Sequence, residues 1–170
     1  MKNQKIFYDN FVVETKKMNY TGFEKEYQVV IRKPCVIVVP FFNNQFVLIN
    51  EFRPAIEKSI LQFPAGKIEE SEKPLDAARR ELIEETGFIP DKLTLIREFY
   101  TAPHFSNEKI FVFVAECNKR TSPKRTDREK ISTILYYYDK LNKVFDADIV
   151  LDAKTLVAWE LWKRWDNGKT

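Results

Sequence analysis

Cysteine and histidine are scarce in this sequence. Its 170 residues include two cysteines and one histidine. Cys35 and Cys117 lie in apolar runs typical of strands, and their positions match neither metal-site nor redox-motif spacing. We therefore predict two buried thiols, with a cytoplasmic location as the default. His104 lies in a polar loop, where a single histidine is expected to be incidental to catalysis.

Long hydrophobic runs and a large excess of charge are also missing. No apolar stretch approaches the ~18 residues of a transmembrane helix, and the N-terminus lacks the apolar core of a signal peptide. The net charge is only +3, although 31% of the residues are charged. So small an excess gives no reason to expect a nucleic-acid partner. We predict neither a membrane span nor binding to nucleic acid.

The chain does contain enough apolar material for one folded domain. Apolar residues make up 44% of it and aromatic residues 14%, and its length suits a single domain with a substantial core. Residues 5–16 and 25–32 are predicted to be antiparallel strands joined by a turn at 19–22. We assign residues 1–33 to this N-terminal β-hairpin extension, which Pro34 ends. A two-stranded unit is too small to be stable alone, so it must pack on something.

The rest of the chain alternates predicted strands with helical patterns. Strands on both sides of one central helix, followed by a closing helix, indicate an α/β fold. A polar, basic stretch at 118–130 has no periodicity and is predicted to be an exposed loop. Asn43 and Asn44 are predicted to form a turn before Gln45. The predicted strands begin at Cys35, Gln45, Ser59, Leu93, Ile110 and Ile131, and the closing amphipathic helix covers residues 152–165.

The stretch from residue 66 to residue 88, GKIEESEKPLDAARRELIEETGF, organises the chain. Its second half is predicted to be a helix, with Pro74 in the first turn and Gly87 at the end. On that helix Glu81, Glu84 and Glu85 fall within an arc of about 100°. Like charges at this spacing repel each other. A bound cation would relieve that repulsion, and Mg²⁺ prefers such oxygen ligands.

The same stretch resembles the Nudix box, G-x5-E-x7-R-E-U-x-E-E-x-G-U with U a bulky apolar residue, and every fixed position matches. The resemblance implies a Nudix fold over residues 34–170, with a mixed β-sheet sandwiched between helices. Nudix proteins are typically Mg²⁺-dependent hydrolases of a nucleoside diphosphate linked to another group. Mn²⁺ is expected as a substitute ion.

The resemblance also assigns roles within the box. Glu81 and Glu85 are implied as the main metal ligands, and the carbonyl oxygen of Ala65 as a further one. Glu84 lies close by and is placed with the catalytic residues. Arg80 is placed there too, although it is expected to brace the box through an ion pair with Glu72 rather than to touch the substrate.

Two further stretches resemble the ADP-ribose pyrophosphatase subfamily. One runs from Asn50 to Pro54 and on to FPAG at 63–66, and it implies that Arg53 contacts the diphosphate. The other is TAPHFSNE at 101–108, in which Pro103 occupies a substrate-side position and Glu108 acts as a catalytic base or extra metal ligand. The sequence departs from the pattern at His104, where relatives have glycine, and at Gln62, where many have glutamate.

The leading hypothesis is a hydrolase of nucleoside diphosphate sugars that converts ADP-ribose to AMP and ribose 5-phosphate. GDP-mannose, other nucleotide sugars, dinucleoside polyphosphates and capped RNA remain alternative substrates. A nucleotide-sensing domain without catalysis is the alternative from another class, although the intact carboxylates argue against it. The resemblance also implies a homodimer, in which the N-terminal extension crosses to the second subunit.

Overall fold

The computed structural model describes residues 5–8, 11–20, 22–124, 131–147 and 152–168. These residues form two sheets and three α-helices. The strands are β1 Lys5–Phe7, β2 Val12–Tyr20, β3 Phe23–Ile31, β4 Cys35–Phe42, β5 Gln45–Arg53, β6 Lys58–Gln62, β7 Ala65–Lys67, β8 Phe88–Tyr100, β9 Lys109–Arg120 and β10 Ile131–Tyr137. The helices are α1 Pro74–Thr86, α2 Tyr138–Asp146 and α3 Ala153–Asn167, and Pro54–Ile56 form one 3-10 turn.

The N-terminal extension is an antiparallel sheet in the order β1-β2-β3. The hairpin of β2 and β3 agrees with the prediction, but the single strand predicted over residues 5–16 is two strands. The chain reverses between them, where the N–H of Tyr8 donates to the carbonyl of Phe11 (2.9 Å), and Phe7 then pairs with Val12. The predicted domain boundary at 33/34 falls in the connection between β3 and β4 and stays a prediction.

The main sheet is mixed, as the resemblance implies. Its strands run in the order β10-β5-β4-β9-β8, while β6 pairs with β5 and β7 pairs with β4. Among the strand pairs of this sheet in the described residues, only β4 and β9 are parallel. Strand β4 therefore lies between β7 on one side and β9 on the other. This arrangement brings the start of the box and the loop before β9 to the same end of the sheet.

Helices cover both faces of the main sheet. Side chains of β4 alternate between the faces: Ile37 packs in a core cluster with Leu141 of α2 and Trp159 of α3, and Val36 packs in a second cluster with Leu82 of α1. Burial of both faces explains why β4 is apolar throughout rather than alternating with polar residues. The predicted sandwich of helices around a mixed sheet is confirmed.

Helix α1 has the predicted ends. Pro74 is its first residue, and Gly87 ends it in the left-handed conformation (φ 75°), with its N–H donating to the carbonyl of Ile83 (2.9 Å). Strand β8 then begins at once, at Phe88 rather than at the predicted Leu93. The turn before β5 is also as predicted, since Asn43 and Asn44 both have positive φ.

Two elements differ from the sequence-based expectation. Helix α2 was not predicted, because the aromatic run at 136–138 favours a strand. Strand β9 continues to Arg120, so residues 118–120 of the predicted basic loop belong to the sheet. Residues 121–124 have no regular structure, and residues 125–130 of that predicted loop lie outside the described part of the chain. No helix in the described residues is long and apolar enough to cross a membrane.

Candidate active site

Strand β7 brings the backbone of the box against two carboxylates of α1. The side chain of Glu81 lies against Gly66, where an added β-carbon would overlap the carboxyl group. This close approach explains why the first position of the box is glycine. One turn further along α1, the Oε2 of Glu85 accepts a hydrogen bond from the backbone N–H of Ala65 (3.0 Å). Both predicted metal-binding side chains, Glu81 and Glu85, therefore lie beside the residue that carries the predicted carbonyl ligand, Ala65.

The environment of these carboxylates disfavours their charged forms. Burial raises the pKa of Glu81, and only the neighbouring Arg80 opposes the shift among the main causes. Burial and the charge of Glu81 raise the pKa of Glu85 well above its usual range. Buried like charges of this kind are expected to bind a cation, since a divalent ion would compensate for the lost hydration. The donor set consists of oxygens, so it fits Mg²⁺.

Arg80 braces the box, as expected from the resemblance. Its Nε and Nη2 donate to the two carboxylate oxygens of Glu72 (2.8 and 2.9 Å), and Nη2 also donates to the carbonyl of Lys67 (2.9 Å). Nη1 pairs with Glu81 (2.7 Å) and Glu84 (3.1 Å). The guanidinium group lowers the pKa of Glu72 to about 2. Arg80 thus joins the loop before α1 to the helix that carries the box carboxylates.

Arg53 is held by a buried amide that the sequence marked only as a departure from the subfamily pattern. The Oε1 of Gln62 accepts two hydrogen bonds, from Nε (3.0 Å) and Nη2 (2.7 Å) of Arg53. The amide nitrogen of Gln62 donates to Glu51 (2.7 Å), and Glu51 pairs with Nη1 of Arg53 (2.9 Å). Gln62 is 1% exposed. Its neutral amide satisfies a cation and an anion at once, which a glutamate could not do while ionised.

Glu108 lies in the loop between β8 and β9. Its Oε2 accepts from the hydroxyl of Thr101 (3.0 Å), and its Oε1 pairs with Nε of Arg32 (2.8 Å). Pro103 is exposed in the turn at 103–105 of the same loop. The adjacent His104 is also exposed, and it makes an edge-to-face contact with Phe105 (4.6 Å between ring centres).

The described residues hold no group of three histidine, cysteine or acidic side chains close enough to bind a metal ion. Glu108 is separated from the box by β4, since Cys35 pairs with Lys67 on one side and with Ile110 on the other. Two strand spacings put the backbones of these flanking strands roughly 10 Å apart. The structure therefore brings Glu81 and Glu85 together. Glu108 lies at the same end of the sheet, on the other side of β4.

The segment that leads into the box is anchored by the start of α3. The N–H of Phe63 donates to the hydroxyl of Thr155 (3.1 Å), and that hydroxyl donates to Asp152 (2.7 Å). Asp152 also caps the helix by accepting from the N–H of Thr155 (2.9 Å). Thr155 is fully buried. This chain of hydrogen bonds fixes the backbone just before Ala65.

Two clefts differ in their relation to these groups. One of about 430 Å³ lies beside the box and is lined by the cations Arg32, Lys33 and Lys67 and by the aromatic pair Tyr8 and Phe11. Another of about 890 Å³ lies at the far end of β4, by the Asn43–Asn44 turn and the end of α3. Among the described residues, neither cleft is lined by a predicted site residue, but the smaller one includes Lys67 and Glu69 of the box. The smaller cleft is the one adjacent to the candidate active site.

Sequence reasoning missed Arg32 and the role of Gln62. Arg32 is separated in sequence from the loop it contacts, and only its position between a strand and Pro34 gave a signal. Gln62 stands out in the sequence as an unusual residue before FPAG. The burial and hydrogen bonding of its side chain could not be predicted, because they depend on the pairing of β6 with β5.

Comparison with known proteins agrees with the box and the fold. The NUDIX domain family matches residues 31–159 of the chain. The chain therefore belongs to the Nudix family, the family of pyrophosphohydrolases that the box predicts.

Three similar proteins illustrate the relationship. An ADP-ribose pyrophosphatase of Bacillus subtilis (strain 168) is 32% identical over 154 residues, which cover 88% of this chain and 82% of the relative. A methanol dehydrogenase activator of Bacillus methanolicus is 32% identical over 133 residues, covering 76% of this chain and 72% of the relative. A crystal structure of an ADP compounds hydrolase has the same fold, with a TM-score of 0.85, 23% identity, and coverage of 99% of this chain and 96% of that one.

Proposed function

We propose that this Nudix protein hydrolyses the diphosphate of nucleoside diphosphate sugars in a divalent-metal-dependent reaction, with ADP-ribose as its best substrate. The products from ADP-ribose would be AMP and ribose 5-phosphate. The observation that carries the proposal is the pair of buried carboxylates, Glu81 and Glu85, held against the backbone of Ala65–Gly66 inside a complete Nudix box. The Bacillus subtilis relative supports the choice of ADP-ribose.

Glu81, Glu85 and the Ala65 carbonyl oxygen would hold the metal ion, with Mg²⁺ as the physiological ion and Mn²⁺ as a substitute. Such an ion would neutralise phosphate charge and make the attacking water a stronger nucleophile. Glu84 lies one turn from Arg80, which holds it at 3.1 Å. We assign Glu84 and Arg80 to the support of this carboxylate group.

Arg53 and Glu108 would act on the substrate from opposite sides of the site. The guanidinium group of Arg53 remains partly exposed, so it can donate to the diphosphate oxygens while Gln62 holds its orientation. Glu108 would accept a proton from the attacking water. Each of its carboxylate oxygens makes one bond within the protein, which leaves lone pairs for that water. Pro103 would shape the substrate side of the loop.

The smaller cleft fits the two ends of a nucleoside diphosphate. Lys67 supplies a positive charge for phosphate oxygens in this cleft, and Arg32 and Lys33 of the same cleft pair with Glu108 and Glu69. Tyr8 and Phe11 stack at 4.7 Å between ring centres beside them, and aromatic rings of this kind bind a nucleobase by stacking. A triphosphate or a long polyphosphate would need cations over a wider area.

We further propose a homodimer with domains at 1–33 and 34–170, located in the cytoplasm, where both thiols stay reduced. The N-terminal sheet has exposed apolar side chains, with Phe7 75% and Phe23 79% exposed. Covering them by a second subunit would remove apolar surface from water. Light scattering at micromolar concentration should give twice the chain mass, and a monomer mass would contradict the dimer.

A substrate panel with Mg²⁺ tests the proposed function. It should contain ADP-ribose, GDP-mannose, UDP-glucose, NADH, diadenosine polyphosphates and nucleoside triphosphates. We expect the highest kcat/KM for ADP-ribose. A tenfold lead for triphosphates or dinucleoside polyphosphates would refute the substrate class, whereas a lead for GDP-mannose would keep the mechanism and change the sugar nucleotide. Tight binding without turnover of any compound would favour the nucleotide-sensing alternative.

A further inference from the structure

The N-terminal sheet is joined by hydrogen bonds to the loop that carries Glu108. The N–H of Val30 in β3 donates to the carbonyl of Phe105 (2.7 Å), and the N–H of Asn107 donates to the carbonyl of Val30 (3.3 Å). Val30 also forms a parallel bridge with Ser106. Just beyond β3, the backbone N–H of Arg32 donates to the side-chain oxygen of Asn107 (2.8 Å). The loop is therefore paired with β3 like a short additional strand.

The side chain of Arg32 extends this pairing to the carboxylate itself. Its Nε lies 2.8 Å from Oε1 of Glu108, and the Glu108 side chain is only 14% exposed. The other carboxylate oxygen accepts from Thr101 (3.0 Å), within the same loop. The hydrogen bond thus comes from the loop, and the ion pair comes from the N-terminal extension. A carboxylate held at both oxygens loses its freedom to rotate, whereas one held at a single oxygen retains it.

We infer that Arg32 is a positioning residue, which holds the Glu108 carboxylate in the orientation needed for proton transfer and makes the N-terminal extension part of the catalytic machinery. The inference rests on the proposed function of Glu108 as the base. In this role Arg32 contacts the Glu108 carboxylate, and not the substrate, during catalysis. The competing role for a cation in this cleft is direct binding of the substrate phosphates, and kinetics separates the two.

The two roles affect different kinetic constants. Misplacement of a catalytic group by about 1 Å can cost on the order of 100-fold in rate. Arg32→Gln should therefore lower kcat for ADP-ribose by about 10- to 100-fold while KM changes by less than about threefold. Arg32→Lys keeps a cation that can reach Glu108 and should restore most of the rate.

Lys17→Gln is the matched control. Lys17 is a cation on β2 of the same N-terminal sheet, and it pairs with Glu24 (3.1 Å) and Glu26 (3.4 Å) rather than with Glu108. This variant should keep the wild-type kcat. Thermal melting of all variants shows whether they are folded. If Arg32→Gln does not fold, Arg32→Met takes its place in the cycle below, because it keeps the apolar stem of the side chain and removes the cation.

A double-mutant cycle with Glu108→Gln provides the decisive comparison. If Arg32 acts through Glu108, its substitution should cost almost nothing in the Glu108→Gln background, because the group that it positions is already lost. Equal losses in both backgrounds would overturn the inference, and so would a rise in KM at unchanged kcat. A wild-type protein that hydrolyses nothing in the substrate panel would instead refute the proposed function. An active wild type with an Arg32→Gln variant of equal kcat would refute only the role of Arg32.

Discussion

Replacing Asp152 by alanine should weaken both the start of α3 and the segment that leads into the box. The Oδ2 of Asp152 accepts from the N–H (2.9 Å) and the hydroxyl (2.7 Å) of Thr155. Oδ1 pairs with Lys154 (2.7 Å). The same Thr155 hydroxyl accepts from the N–H of Phe63. Loss of one carboxylate therefore removes a helix cap and loosens the backbone next to Ala65.

The expected cost follows from these bonds. Loss of an N-cap side chain costs about 0.5–2 kcal/mol, and a buried hydroxyl left without its acceptor adds about 1 kcal/mol or more. The free energy of unfolding of Asp152→Ala should thus fall by about 1.5–3 kcal/mol. For a chain of this length that corresponds to a Tm lower by roughly 3–12 °C.

The pH dependence of this effect has a definite sign. Burial alone would raise the pKa of Asp152, but the charge and hydrogen bond of Lys154 and the bonds from Thr155 outweigh it, so the pKa lies below the ordinary 3.8. A carboxylate with a lowered pKa stabilises the folded state fully above its unfolded-state pKa. That stabilisation is lost as the pH falls through the lowered value. Asp152→Asn keeps an acceptor oxygen without the charge, so the stability gap between wild type and this variant should shrink below about pH 4.

Thermal unfolding followed by circular dichroism between pH 3 and pH 7 measures these differences. Asp139→Ala is the matched control, because Asp139 lies in the first turn of α2, where no side-chain cap bond is formed. Equal losses in Asp152→Ala and Asp139→Ala would refute the role of the cap. A gap between wild type and Asp152→Asn that widens in acid would refute the electrostatic argument.

Two further substitutions address the site. Glu85→Gln should abolish most turnover and weaken Mg²⁺ binding in equilibrium dialysis, yet it should raise the Tm of the metal-free protein because a buried charge is removed. The control Asp76→Asn, on the exposed side of the same helix, should leave turnover unchanged. Wild-type turnover in Glu85→Gln would exclude this metal site. Gln62→Leu should raise the KM for ADP-ribose by about 10- to 100-fold in steady-state assays, since Arg53 loses two hydrogen bonds. Gln62→Glu keeps acceptors for Arg53 and should raise the KM less. An unchanged KM in Gln62→Leu would contradict the positioning of Arg53 by Gln62.

The parts of the site that the sequence predicted are those encoded locally. The box lies on one helix, and helical geometry alone places Glu81 and Glu85 one turn apart. The ends of that helix also follow from local signals, since Pro74 and Gly87 have defined positional preferences. The same holds for the Asn43–Asn44 turn, whose two residues tolerate positive φ.

The parts that escaped prediction depend on distant pairing. Arg32 and Asn107 are 75 positions apart in sequence, and their contact exists only because β3 pairs with the loop before β9. The burial of Gln62 likewise depends on the pairing of β6 with β5. Helix α2 was missed for another reason. The tyrosines just before it, Tyr136 and Tyr137, favour a strand, so the local sequence does not signal a helix start. Packing of Leu141 in the core stabilises the helix instead.

The most direct test of the central claim is product analysis of ADP-ribose hydrolysis in ¹⁸O-labelled water with Mg²⁺, by mass spectrometry and phosphorus NMR. We expect equal amounts of AMP and ribose 5-phosphate, with one ¹⁸O atom incorporated per pair of products. No reaction should occur in the presence of EDTA, and almost none with the Glu85→Gln variant. Release of inorganic phosphate or pyrophosphate, or turnover that persists in EDTA, would contradict metal-dependent cleavage between the two phosphorus atoms.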